Sequence, residues 1–91
     1  MDKKIIEDIL ELGFSLVDAG DLEADGSYYE SYSFFEKGTL LEITFEYNHL
    51  KEIVHSYVEF ENNVLKGVKT TLHNLQILIK FIYNIDYENR T

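Results

Sequence analysis

Apolar and polar residues change period twice along this chain, from about 3.6 to about 2 and back again. Ile5, Ile6, Ile9 and Leu10 stand a helical turn apart. This predicts a first helix from an Asp2 cap to Leu12. Gly13 falls where a C′ glycine belongs, and Phe14 is placed to fold back on Ile9, the apolar contact of a Schellman ending.

Residues 14–17 read as a short extended piece and residues 18–26 as an acidic loop broken by Gly20 and Gly26. A β-meander follows. Residues 27–36 turn at Lys37-Gly38 into 39–47, which turn near 48–51 into 52–61. An Asn62-Asn63 turn then leads to a short strand over 64–69. A two-residue Lys37-Gly38 turn pairs Phe34 with Leu41, Tyr32 with Ile43 and Tyr28 with Tyr47, all on one face. Alternation adds Val54, Ser56, Val58 and Phe60 to that face, and a one-residue slip in any strand would spoil the agreement. Glu30 is the misfit, a carboxylate on the core side of what reads as an edge strand, expected beyond the sheet rim.

A last helix is predicted from a cap at Thr70 or Thr71 to about Asn84. Its polar residues His73, Gln76, Lys80 and Asn84 make one narrow stripe. The apolar arc around the rest is wider than a helix on a sheet needs. Either the first helix covers the surplus or a second subunit does, through Ile77 and Phe81. The reading is therefore an α+β fold occupying residues 1–91 as one acidic domain. It has an N-terminal helix, an antiparallel three- to four-stranded β-meander and a C-terminal helix, with the helices packed on one face of the sheet.

Charge changes this picture. Residues 1–61 hold 15 Asp or Glu against 4 Lys, a balance of −11, whereas residues 62–91 hold 2 acids against 4 bases. The net −9 repels nucleic acid and anionic lipid, so a basic protein is the expected partner, with no direct nucleic-acid or membrane contact. The chain has no Cys, which excludes disulfides, thiolate zinc sites and thiol catalysis. No apolar run approaches the roughly 18 residues that span a bilayer, and early acids break any secretory pattern, so the expected location is cytoplasmic.

Candidate chemistry is sparse. Asp21, Glu23 and Asp25 before Gly26 resemble the opening of an EF-hand calcium loop, but Tyr32 stands where the bidentate Glu is required. This leaves a weak divalent-metal candidate. His49, His55 and His73 share no metal-binding spacing, and there is no GxSxG elbow, GxGxxG or phosphate loop. No enzyme activity and no cofactor are expected.

The sheet's outer face is the surface that stands out. The partner-binding candidates there are Tyr29, Phe35, Glu42, Glu46, Ile53, Tyr57, Glu59 and Glu61. Carboxylates two residues apart on a strand are separated by about 6.7 Å, comparable with neighbouring phosphates on a nucleic-acid strand. Aromatic groups between them suit binding hot spots. In size, acidity and lack of catalytic residues the chain is similar to the small inhibitors of phages and mobile elements, of the anti-CRISPR or anti-restriction type. That resemblance implies a nucleic-acid mimic blocking a basic, nucleic-acid-binding surface of a partner. The alternatives are a homodimeric structural, adaptor or immunity-type protein, and a divalent-metal-binding module.

Overall fold

The computed structural model describes residues 2–84, with side chains from Lys4 onward. Its elements are α1 (Asp2–Leu12), β1 (Ser15–Asp21), β2 (Tyr28–Glu36), β3 (Thr39–Tyr47), β4 (Ile53–Phe60), β5 (Asn63–Val64) and α2 (Leu72–Tyr83). The five strands form one antiparallel sheet in sequence order. The fold is α+β, as the two periods require.

Helix α1 ends as its sequence predicts. The Phe14 N–H donates to the Ile9 carbonyl at 3.0 Å and the Gly13 N–H to the Leu10 carbonyl at 3.1 Å, the two bonds of a Schellman motif. Gly13 takes φ 114°, which an L side chain resists. Phe14 and Ile9 are both buried. The expected Asp2 cap lies outside the described side chains. At α2, Thr71 is the N-cap, its hydroxyl accepting from the Asn74 N–H at 3.2 Å. Asn84 closes the helix in the left-handed region, its N–H bonded to the Lys80 carbonyl.

The β2–β3 hairpin turns at Lys37 and Gly38, both at positive φ as a type I′ turn demands. It pairs Phe34 with Leu41, Tyr32 with Ile43 and Tyr28 with Tyr47. The inward residues of these strands join Ile9 and Leu12 of α1, Phe14, and Leu75, Ile79 and Tyr83 of α2 in one core. Tyr83 ties the far helix to the sheet. Its ring meets Phe34 with centroids 5.1 Å apart, and its hydroxyl donates to the Thr39 carbonyl at 2.9 Å.

Four details depart from the sequence reading. Residues 15–21, expected as an extended piece running into a loop, form a full edge strand β1 that pairs with β2. Strand β2 is therefore interior. The expected fourth strand over 64–69 shrinks to β5, and the turn before it centres on Glu61 and Asn62, both at positive φ, rather than on Asn62-Asn63. Finally, β4 carries a bulge. Glu46 pairs with His55 but Tyr47 pairs with Ile53, so Val54 is the extra residue. The bulge reverses parity: Ile53 packs against the core, while Val54 is 61% exposed.

Candidate functional site

The outer face of the sheet is built from the alternate residues that the core does not take, aligned in rows by the strand register. One row runs Gly20, Tyr29, Glu46, His55 across β1 to β4. The next runs Asp18, Ser31, Thr44, Tyr57, and a third runs Ser15, Ser33, Glu42, Glu59, Val64. Phe35 and Leu40 form the last pair. Both helices contribute their buried residues to the opposite side, so neither of them covers this face among the described residues.

Its centre is packed tightly. Ser31 and Thr44 are buried at 7% and 4% exposure and satisfy each other with a hydroxyl–hydroxyl bond of 2.9 Å. Glycine at 20 leaves room for the Tyr29 ring: a Cβ there would lie 3.0 Å from Tyr29 Cε1. The Tyr29 hydroxyl can then reach Asp18 and donate to its Oδ2 at 3.0 Å. That bond, ahead of burial, raises the Tyr29 pKa. His55 and Tyr57 hold their rings 5.6 Å apart.

Around this centre the charge is of one sign. The rows hold the carboxylates Asp18, Glu42, Glu46 and Glu59, and strands β1 to β4 carry no Lys or Arg. Glu42 stands opposite Glu59, and like charges so placed repel. Burial raises the Glu42 carboxyl above its ordinary range, with the Glu59 and Asp18 carboxylates adding to the effect. A surface of this kind stabilises a cationic group brought to it.

The structure brings together Tyr29, Glu42, Glu46, Tyr57 and Glu59 of the predicted set. Phe35 lies at one end of the face and is well exposed. Glu61 lies in the β4–β5 turn, its Oε2 accepting from the Leu40 N–H at 3.1 Å. Ile53 is a correction: the β4 bulge turns it into the core, so it is not part of this face. Asp18, read as a loop residue, belongs to the face because β1 is a strand. The small residues Ala19 and Gly20 opposite large ones on β2 were the only sequence sign of that pairing.

The EF-hand-like acids are dispersed. Asp21 sits in β1 opposite Tyr28, and Asp25 Oδ1 accepts from the Ser27 N–H at 3.0 Å and hydroxyl at 2.7 Å, which folds the loop. The Leu22 N–H bonds the Ser27 carbonyl, so the segment closes a hairpin. Among the described residues no group of three or more acids or histidines is arranged to hold a metal ion. On α2, Ile77 and Phe81 point away from the core, Phe81 at 84% exposure. Helix α1 does not cover them. Among the described residues no helix is long and apolar enough to cross a membrane.

Comparison with protein-family models, with curated proteins and with solved structures finds no match to this chain.

Proposed function

We propose that this chain is a small, non-enzymatic, cytoplasmic protein-binding inhibitor whose outer sheet face docks on a basic, nucleic-acid-binding surface of a partner protein. The observation that carries this reading is the directly opposed Glu42–Glu59 pair, with Asp18 acting on the same carboxyl, on strands without Lys or Arg. Such a pair costs the isolated domain stability, and a cation from a partner relieves it. Opposite charge speeds encounter, while the Tyr29, Tyr57 and Phe35 rings set residence time. The anti-CRISPR or anti-restriction type of inhibitor is the class this mimicry fits.

The test is paired affinity capture from a host lysate with the wild-type chain and an E42K/E46K/E59K variant, at about 50 mM and about 300 mM salt. A partner held by the wild type at low salt, lost with the variant, and blocked from binding nucleic acid in the complex is the expected result. A partner retained by the triple variant, or captured independently of salt, refutes the reading.

The exposure of Phe81 beside Ile77 favours a second reading, a homodimer joined through α2. Sedimentation at micromolar concentration decides it. A dimer that Phe81→Glu or Ile77→Glu splits supports it, and a monomeric wild type removes it.

A further inference from the structure

The core side of the sheet opens into a groove of about 370 Å³ near the start of α1, lined by Ile6, Glu7, Tyr28, Glu30, Tyr32, Tyr47 and Lys51. Glu30 is the residue that makes it unusual. It occupies a core-facing register position, opposite buried Phe45, where a charge is costly unless it is bonded. Two tyrosines bond it. Tyr32 and Tyr47 donate their hydroxyls to the same oxygen, Oε1, at 3.1 and 2.9 Å. Neither bond uses Oε2.

The walls are aromatic. Tyr28 and Tyr47 stack with centroids 4.6 Å apart and planes 11° from parallel, and Tyr32 lies next along the same face. Burial and the bond to Glu30 raise the pKa of both donors, Tyr32 to about 12. They stay protonated donors to the Glu30 side chain.

We propose that this groove, with Tyr28 beside a Glu30 carboxylate held by Tyr32 and Tyr47, binds a small quaternary ammonium compound of about choline's size. The half-buried Tyr28 ring and the carboxylate attract such a cation together, while Tyr32 and Tyr47, 5% and 6% exposed, hold the carboxylate in place. An anion is repelled by Glu30 and Glu7. A guanidinium prefers a carboxylate with both oxygens free, and here Oε1 already accepts two hydroxyls. A divalent metal needs several oxygen ligands, and the groove presents two separate carboxylates. The volume lies in the lower range of small-molecule sites. Lys51 on the lining opposes the cation, so removing its charge strengthens binding. The site lies on the opposite side of the sheet from the acidic face and is independent of the docking proposed above.

The experiment is an NMR titration of the intact chain with tetramethylammonium and choline, against sodium chloride at equal ionic strength. Saturable shifts at Tyr28, Glu30, Tyr32 and Tyr47 are expected. Glu30→Gln, which keeps an oxygen acceptor for the two hydroxyls, should weaken binding about tenfold. Lys51→Gln should tighten it a few-fold. Shifts no larger than those from sodium, or centred on Glu42 and Glu59, overturn the proposal. So does arginine binding more tightly than choline. A trimethyllysine peptide binding tenfold more tightly than choline would overturn the free small molecule as the ligand's source. Tyr28→Ala, read after a thermal melt shows that it folds, should weaken binding, and undiminished binding in that variant overturns the proposal.

Discussion

Glu42 on β3 stands directly opposite Glu59 on β4, on the sheet face that neither helix covers among the described residues. Cross-strand neighbours of like charge destabilise a sheet. Glu59→Gln should therefore raise stability at neutral pH by about 0.5 kcal/mol in urea unfolding. It should also bring the Glu42 carboxyl down toward its ordinary range in an NMR titration.

The sign of the pH dependence follows from the same pair. The folded state holds the Glu42 proton more tightly than the unfolded chain does. Its contribution is therefore full at pH below the ordinary glutamate pKa and is lost as pH rises through the raised value. Glu42→Gln should flatten the stability profile across that window. A wild-type profile unchanged by the substitution would show that Glu42 titrates normally.

Tyr83 couples α2 to the β2–β3 hairpin through a hydroxyl that donates to the Thr39 carbonyl at 2.9 Å, with the Phe34 carbonyl at 3.3 Å. Tyr83→Phe leaves the Thr39 and Phe34 carbonyls without that donor while keeping the ring. The expected cost is about 1–2 kcal/mol, read from the denaturation midpoint at unchanged slope.

Gly13→Ala strains the C′ position of α1. The backbone sits at φ 114°, and the new Cβ would meet Phe34 Cε2 at 3.2 Å. A loss of about 1–2 kcal/mol is expected, with a lower thermal midpoint.

The two faces of α2 should respond very differently. Ile79 is fully buried, and Ile79→Ala should cost about 3 kcal/mol. Phe81 is 84% exposed, and Phe81→Ser should leave the stability of the monomer within about 0.5 kcal/mol. Paired urea melts at low protein concentration check both.

What the chain by itself determined is what short-range rules control. The Schellman ending of α1 needs only Gly13 and its neighbours, and the Thr71 cap needs only the residues of one turn. The pairing of β2 with β3 follows from a two-residue turn and strict alternation, so Phe34, Leu41, Tyr32 and Ile43 fell into place together. The outer-face carboxylates Glu42, Glu46 and Glu59 followed from the same parity.

Tertiary structure decided the rest. Strand β1 is exposed along nearly its whole length, so no apolar alternation marks it, and the backbone bonds of β2 hold it in place. The β4 bulge exchanges Ile53 for Val54, a one-residue choice that composition at those positions does not distinguish. Alternation already sets Glu30 on the core side, but the second hydroxyl that satisfies it there, from Tyr47, comes only with the pairing to β3. Phe81 stays in solvent because α1 does not extend over it. In each case the deciding partner lies outside the local segment, where periodicity along the sequence carries no information.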